Sequence, residues 1–293
     1  MEPLLERISR GEVVVSDGAL GTMLIAGGGL QPGECPDGLV LERPELLRTI
    51  AVQYLEAGSE IIHTDTFGSS SLKLSDYGLE DRTEEINGKA VEILREAVGG
   101  SAYVSGSCGP TGRIMTPYGD TEPDEVSRAY ERQMKALVSA GVDVICIETM
   151  IDLREAVLAV RAARSASADI PVMATMTFDR TPNGFYTVWG TGIEEAAAGL
   201  SEAGADIVGS NCGNGIGVMV EIAGRLREAT PLPLLIQSNA GQPESRDGEV
   251  VYAETPELFA KKTRELIDIG VSVIGGCCGT TPDHIRAIRG VTG

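Results

Sequence analysis

Eight short apolar runs rich in β-branched residues recur along the whole sequence, and their order constrains the fold most strongly. Between them lie segments with the periodicity of amphipathic helices, including 123–140 and 256–269. Continuous apolar runs of this length are typical of strands buried on both faces, as in a parallel sheet. The eight predicted strands are Val13–Ser16, Glu60–Asp65, Ala102–Ser107, Asp143–Glu148, Pro171–Thr177, Ala205–Asn211, Pro233–Asn239 and Val271–Gly276.

A short internal repeat marks the entrance to four of these strands. Each is preceded by a helix end and a glycine, at Gly58, Gly141, Gly204 and Gly270. Glycine supplies the left-handed conformation that ends a helix before the next strand. Threonine followed by proline, at 255–256 and 281–282, predicts two helix starts. Eight strand–helix units in series close most simply into one (β/α)8 TIM barrel over residues 1–293, with an open doubly wound sheet as the alternative.

The charge balance argues against several classes of partner. The chain has 24 Lys and Arg against 43 Asp and Glu, which gives a net charge of −19. A protein this acidic is not expected to bind nucleic acid or an anionic membrane surface. No apolar run approaches the ~18 residues of a membrane span, and the N-terminus has no stretch typical of a signal peptide. We therefore expect a cytoplasmic protein.

Reactive side chains lie at the end of most of the predicted strands or directly after it. In a barrel of this type, functional groups lie at the C-terminal ends of the strands. The sequence therefore predicts that these side chains gather at one mouth of the barrel. They are Asp17, His63, Asp65, Cys108, Glu148, Cys212, Asn239, Cys277 and Cys278.

Three of the six cysteines, Cys212, Cys277 and Cys278, predict a metal site. Six cysteines in 293 residues are too few for a disulfide scaffold. Neighbours in a strand point to opposite faces, but the glycines around Cys277 and Cys278 allow the backbone to turn. Three thiolates leave one position of a tetrahedral Zn²⁺ open, as in catalytic zinc sites. A vicinal disulfide or two buried thiols are the alternatives.

The other two strand-associated cysteines are predicted to pack rather than to bind metal. Cys146 lies within an apolar strand and is predicted to be an inert core thiol. Cys108 follows the third strand in a small-residue segment, where packing is expected and a further metal ligand is the alternative.

Two carboxylates predict a site for an α-amino acid. Glu148 ends an otherwise apolar strand, so it must be paired, bound to metal or directed at a cation; an ion pair with arginine is the structural alternative. Asp17 precedes a glycine turn whose amides can cradle an anion, with an Asx turn or helix cap as the alternative. No Ser-His-Asp arrangement or phosphate loop is evident. His63 is predicted to be either a general base or a buried supporting residue, and His284 is predicted to have a structural role.

Seven motifs between Asp17 and His284 are similar to those of the homocysteine S-methyltransferase family. The nearest resemblance is to the homocysteine-binding module of cobalamin-dependent methionine synthase, and a more distant one is to betaine–homocysteine methyltransferase. The motifs are Asp17-Gly-Ala-Leu-Gly-Thr, Thr64-Asp-Thr-Phe67, Cys108-Gly-Pro-Thr111, Ile147-Glu148-Thr149, Asn211-Cys212, Ser238-Asn-Ala-Gly241 and Gly275-Gly-Cys-Cys-Gly-Thr-Thr-Pro282.

This resemblance implies a zinc-dependent methyltransferase of methionine biosynthesis. It implies that Zn²⁺ is held by Cys212, Cys277 and Cys278, with the sulfur of homocysteine in the fourth position. These cysteines and Glu148 would be the catalytic groups. The implied substrate-binding residues are Asp17, Gly18, Ala19, Thr66, Glu148 and Asn239, and Asn239 would occupy the open metal position before substrate arrives.

The methyl donor is less constrained by the sequence. The cobalamin motif D-x-H-x-x-G is absent from these residues, so we expect a separate corrinoid protein to carry cobalamin and supply the methyl group. Alternatives are a small donor (S-methylmethionine, S-adenosylmethionine or a betaine), a non-catalytic zinc- or amino-acid-binding subunit, and a fragment of a longer enzyme. A barrel lyase or aldolase is the least favoured alternative, because it would need a base or a Schiff-base lysine at a strand end and no strand-end lysine is present. The chain departs from the family at Cys108, and at His63 and Asp65, where the family has Glu and Asn.

Overall fold

Eight parallel strands form a closed barrel in the computed structural model, which describes residues 1–30, 33–246 and 249–293. Their order around the sheet is their order along the chain. A parallel bridge between Ser16 and Ile61 joins the first strand to the second and closes the sheet. The predicted barrel is therefore confirmed. The strands are β1 Val14–Val15, β2 Ile61–His63, β3 Tyr103–Cys108, β4 Val144–Met150, β5 Val172–Met176, β6 Ile207–Gly215, β7 Leu234–Asn239 and β8 Val273–Gly276.

Each strand is followed by a long helix on the outside of the barrel. These helices are Pro44–Glu56, Thr83–Val98, Pro123–Ala140, Leu153–Ala166, Ile193–Ala203, Ile216–Ala229, Pro256–Ile269 and Pro282–Thr292. Shorter helices are Leu4–Ser9, Leu20–Ala26, Leu39–Glu42 and Ser71–Leu74, with 3₁₀ turns at Pro36–Gly38, Ser75–Tyr77 and Glu80–Arg82. Within the described ranges, no helix is long and apolar enough to cross a membrane.

Two apolar clusters follow from the alternation of side chains along the strands. Residues near the strand starts, such as Val14, Ile61 and Val144, form a cluster inside the barrel, and Leu4 and Ile8 of the first helix pack against it. The neighbouring strand residues belong to a larger cluster between the sheet and the outer helices. Because side chains two residues apart share a face, later residues of the same strands point into the other end of the barrel.

The predicted helix boundaries are confirmed both at the glycines that end helices and at the Thr-Pro pairs that begin them. The four repeat glycines, Gly58, Gly141, Gly204 and Gly270, have φ of +103°, +88°, +110° and +90°. The hydroxyl of Thr255 accepts a hydrogen bond from the Leu258 amide at the start of its helix. Two hairpins at the C-terminal mouth were not predicted: Asp179–Thr181 with Gly184–Tyr186, and Glu244–Arg246 with Glu249–Val251. They are short and largely exposed, so they lack the apolar pattern of the barrel strands.

Candidate metal centre and adjoining cavity

The two adjacent cysteines lie in a tight turn immediately after β8. The turn is closed by a hydrogen bond from the Thr280 amide to the Cys277 carbonyl (3.1 Å). Gly279 has a φ of +80° within this turn, and a Cβ at this position would lie 2.1 Å from the ring of Tyr252. Glycine is therefore required at 279 both for backbone conformation and for space. The backbone bends here as the sequence predicted, so that both sulfurs face one point.

Cys212 reaches the same point from an irregular part of β6. Its φ is +59°, a left-handed backbone conformation that residues other than glycine rarely adopt. The pairing between β6 and β7 also shifts register between Asn211 and Gly215. Such strain costs of order 1–3 kcal/mol and is concentrated at functional sites. The bulge turns the Cys212 sulfur toward Cys278, with 3.8 Å between the two Sγ atoms.

The three sulfur atoms fit the coordination shell of a zinc ion. They lie within 4.8 Å of one another. Zn–S bonds of about 2.3 Å in a tetrahedron place two sulfurs about 3.8 Å apart, which is the separation of Cys212 and Cys278. Hydrogen bonds from Cys277 and Cys278 lower the pKa of Cys212, whereas the pKa values of Cys277 and Cys278 are raised. A cation would be needed to hold all three as thiolates.

A cavity of about 320 Å³ opens beside the three sulfurs at the C-terminal mouth of the barrel. It is lined by four carboxyl-bearing residues, Asp17, Asp37, Asp65 and Glu148, and by His63. Apolar and small residues of the segment after β1 line much of the rest, including Gly18 and Ala19 in the turn and Leu20 and Leu24 in the short helix. The cavity therefore combines soft sulfur ligands at one end with several carboxylates, which suits a small cationic molecule that carries a thiol.

Asp17 lies between β1 and the end of β2, where His63 holds both of its carboxylate oxygens. The main-chain amide of His63 donates to Oδ2 (2.8 Å), and the imidazole Nδ1 lies 2.7 Å from Oδ1. Burial alone would lower the pKa of His63, but the Asp17 carboxylate and the Cys146 sulfur together outweigh this effect and raise the pKa well above its ordinary value. Asp17 is thus paired within the chain and still lines the cavity.

Glu148 points into the barrel from the end of β4. Its two oxygens accept hydrogen bonds from Ser107 Oγ (2.6 Å) and Asn211 Nδ2 (3.2 Å). No arginine pairs with it among the described residues, so the structural alternative of an ion pair with arginine is not supported. Burial raises the pKa of Glu148, and the nearby His63 offsets only part of this effect. Glu148 therefore lines the cavity with a carboxyl group that burial makes less acidic than usual.

The glycine turn after Asp17 is tied to the cysteine turn. The Ala19 amide, predicted to face an anion, donates to Thr280 Oγ1 (3.1 Å), and that hydroxyl donates to the Cys277 carbonyl (2.7 Å). A Cβ on Gly18 would lie 2.6 Å from the same Thr280 oxygen. The Ala19 amide is consequently already used within the chain, and Thr280 is a site residue that the sequence interpretation missed. Its place directly after Cys-Cys-Gly was the available signal.

Two other predicted substrate-binding residues are placed outside the lining of the cavity. Thr66 is fully buried, and its hydroxyl donates to the Ser107 carbonyl (2.7 Å). This bond and its contact with Thr64 Oγ1 (2.6 Å) direct the hydroxyl into the protein. Asn239 ends β7, and its side chain helps to lower the pKa of Cys212. Asn239 therefore lies close to Cys212, and its place at an open metal position stays a prediction.

The remaining polar residues have supporting roles. Cys108 is fully buried with its sulfur 3.2 Å from Gln133 Oε1, and it is not part of the three-sulfur cluster. Cys146 lies in the barrel interior. His284 caps the last helix together with Thr281, and its Nε2 lies 3.0 Å from the Glu254 carbonyl, so its predicted structural role is confirmed.

Comparison with known proteins places the chain in a sequence family. The model of the family described as homocysteine S-methyltransferase matches residues 14–292. Methionine synthases of Mycobacterium leprae and Mycobacterium tuberculosis are 33% and 34% identical to the chain over 97% of its length. The chain spans about a quarter of the length of these curated relatives (24% and 25%).

Solved structures support the fold independently. The metallated form of the homocysteine methyltransferase MmuM from Escherichia coli superposes with a TM-score of 0.81, at 23% identity and with 99% of each chain covered. Its oxidized form gives a TM-score of 0.80 at 24% identity. At this identity the likeness establishes the shared barrel architecture.

Proposed function

Because the chain belongs to the homocysteine S-methyltransferase family, we propose that it transfers a methyl group to the thiol of homocysteine and so forms methionine. The observation that carries this proposal is the three-sulfur cluster of Cys212, Cys277 and Cys278 beside a cavity lined by carboxylates. Zinc is the metal proposed for the cluster, because thiolate-rich tetrahedral sites are typical of zinc.

The chain's own residues would orient the substrate. Carboxylates of Asp17 and Glu148 would accept hydrogen bonds from the ammonium group, and the thiol would lie toward the three cysteines. When bound, zinc supplies a Lewis acid that favours loss of the thiol proton, which otherwise titrates near ~8.5. A sulfur lone pair then forms the new S–CH₃ bond, while the methyl–donor bond breaks and its electrons leave with the donor.

A protein is the proposed carrier of the methyl group, specifically a corrinoid protein that brings cobalamin to the barrel mouth. Support comes from the exposed apolar side chains. Of the ten large hydrophobic residues exposed in the described part of the chain, nine lie in the segments that connect a barrel strand to the next outer helix: Ile25, Phe67, Tyr77, Ile114, Tyr118, Val188, Trp189, Val250 and Val251. Apolar residues concentrated on one face are typical of a protein-binding surface.

A small cationic donor, such as a sulfonium or a betaine, is the second candidate. It is favoured by the four carboxyl-bearing residues Asp17, Asp37, Asp65 and Glu148 around one cavity, more than a single homocysteine ammonium group needs. Donor assays separate the two candidates. The zinc-loaded chain is incubated with homocysteine and either methylcobalamin, S-methylmethionine or betaine, and methionine is measured. Methionine from S-methylmethionine or betaine alone would favour the small donor.

The cysteine cluster gives the direct test of the proposed function. Cys278→Ala removes one of three metal ligands, and we expect bound zinc to fall from about one ion per chain to a small fraction of this value. Methyl transfer should fall at least about a hundredfold, because catalytic metal sites depend on every ligand. Elemental analysis and the methionine assay measure the two effects.

Cys35→Ala provides the matched control, because Cys35 lies outside the sulfur cluster. It should retain zinc and activity. Turnover that persists in Cys278→Ala without zinc would contradict the proposal. Homocysteine binding without transfer from any of the donors, including a methyl-corrinoid protein, would instead indicate a non-catalytic binding subunit.

A further inference from the structure

The imidazole of His63 occupies a position that the reaction itself does not explain. Its side chain is 12% exposed and lies at the end of β2, inside the barrel mouth. The residue contacts both oxygens of Asp17, one through the main-chain amide and one through Nδ1 (2.8 and 2.7 Å). A side chain held at both oxygens by one residue has little rotational freedom, so the direction of the Asp17 carboxylate depends on His63.

The other side of the imidazole faces the second carboxylate of the site. A ring nitrogen of His63, the Cys146 sulfur and a Glu148 oxygen lie within 4.8 Å of one another. Nε2 of His63 is buried and has no hydrogen-bond partner in the part of the chain that the structure describes. One ring therefore separates Asp17 from Glu148.

Without His63, Asp17 would lose the stronger of its two side-chain contacts. The remaining contact of Oδ1 is with Ser16 Oγ at 3.3 Å, a long hydrogen bond. The main-chain amide would still hold Oδ2. A carboxylate held at one oxygen only can rotate away from the cavity, and this rotation weakens its contact with an ammonium group.

We infer that His63 is a positioning residue for substrate recognition: it fixes the Asp17 carboxylate so that the site selects thiols that carry an α-ammonium group. This inference rests on the proposed function, in which Asp17 binds the ammonium group of homocysteine. It assigns His63 a role in selectivity through Asp17 rather than in proton transfer. A neutral hydrogen-bond donor in place of Nδ1 is sufficient for this role.

The test compares two thiols that differ only in the ammonium group. Homocysteine and 4-mercaptobutyrate have the same chain length, and both present a thiol to the metal. Their dissociation constants are measured by calorimetry on the zinc-loaded chain and on two variants. His63→Leu removes the ring nitrogens, whereas His63→Asn keeps an amide N–H near the position of Nδ1. The ratio of the two dissociation constants reports the ammonium contact alone.

We expect His63→Leu to bind homocysteine about 10- to 100-fold more weakly, the range typical of one hydrogen bond to a charged group. Binding of 4-mercaptobutyrate and the zinc content should stay unchanged, and His63→Asn should recover most of the selectivity. Equal weakening of both thiols in His63→Leu, or unchanged selectivity, would overturn the inference.

Two further outcomes separate this inference from the proposed function. If the unaltered chain holds zinc but does not prefer homocysteine to 4-mercaptobutyrate, the proposed function fails, and the inference fails with it. If the unaltered chain binds two zinc ions and His63→Leu binds one, the group of His63, Cys146 and Glu148 is a metal site, and the positioning role is wrong while the proposed reaction stands.

Discussion

Asp65 shows how a single buried acid can affect the stability of the whole barrel. It lines the cavity next to Asp37, and its Oδ2 is buried with no partner among the described residues. Burial raises the pKa of Asp65 well above its ordinary value, and the nearby Asp37 adds to the effect. The carboxyl group of Asp37 accepts hydrogen bonds from the Gly68 amide and Ser69 Oγ (both 2.8 Å), so it is the better stabilised of the two.

The raised pKa of Asp65 gives a pH-dependent prediction. Between its ordinary pKa and its raised value in the folded state, the folded protein holds more protons than the unfolded chain, so stability falls as pH rises through this window. Asp65→Asn removes the effect. We expect the variant to melt higher than the unaltered protein at pH 8, and the difference to shrink toward pH 4.

Thermal unfolding measured at several pH values tests this prediction. Each kcal/mol of change in the free energy of unfolding should shift the melting temperature by about 2–4 °C. Asp120→Asn, at an exposed position, is the control, and its melting temperature should follow that of the unaltered protein at every pH. The prediction is contradicted if the melting temperature of Asp65→Asn, compared with that of the unaltered protein, is less favourable at pH 8 than at pH 4.

Among the secondary-structure elements, the helices have the ends that the sequence predicts most clearly. Gly141 follows the helix Pro123–Ala140 with a φ of +88°, and a Cβ there would meet no atom within 4 Å. The only cost of a side chain is therefore the left-handed backbone, about 1–2 kcal/mol. Gly88 lies inside the helix Thr83–Val98, where a Cβ also meets no atom within 4 Å.

The same substitution should therefore have opposite effects at these two glycines. Gly141→Ala is expected to lower the free energy of unfolding by about 1 kcal/mol. Gly88→Ala is expected to raise it by about 0.5–1 kcal/mol, because glycine is unfavourable within a helix. Urea denaturation of both variants provides the measurement. Destabilisation by Gly88→Ala would show that the side chain meets an obstacle that the structure does not contain.

The two hairpins could not be predicted with the same security, because their strands are only three residues long, and the strand residues of the first hairpin are exposed or partly buried. Apolar alternation, the main signal for a strand, is absent from such segments. In the first hairpin, Pro182-Asn183-Gly184 is a turn signal that was present in the sequence. Its pairing, however, depends on contacts that only the folded barrel mouth supplies.

At the scale of the whole molecule, one face of the barrel is distinct from the rest of the surface. Tyr118 and Trp189 come from loops after β3 and β5, and their ring centroids are 5.8 Å apart. Arg154, at the start of the helix after β4, lies 5.7 Å above the Tyr118 ring. These three residues line an open groove of about 550 Å³. Aromatic and arginine side chains of this kind are common anchors in protein interfaces.

Trp189 is expected to contribute to binding of the corrinoid protein that we propose as methyl donor. Trp189→Asp should reduce methyl transfer from that protein at least about tenfold, because it replaces an aromatic anchor with a charge. Transfer from free methylcobalamin, which needs no docking surface, should be unchanged, and Trp189→Phe should retain most of the rate with the protein donor. Steady-state rates with the two donors give the comparison. An equal loss with both donors would place Trp189 in the site rather than in the docking surface.

The sequence alone determined the architecture and the atoms of the candidate metal site. Apolar runs, helix periodicity and repeat glycines are local signals, and their regular order left few topologies apart from the barrel. Cysteine chemistry is also local, so the sequence is enough to select Cys212, Cys277 and Cys278 as candidate metal ligands.

Only the tertiary structure decided how these residues are held and directed. The link between Asp17 and His63 joins residues 46 positions apart, and that between Ala19 and Thr280 joins residues 261 positions apart. The left-handed conformation of Cys212, the burial of Thr66 and the pairing of Asp17 result from packing around the closed barrel. Such contacts leave no periodic trace in the sequence, because they depend on where distant strands end in space.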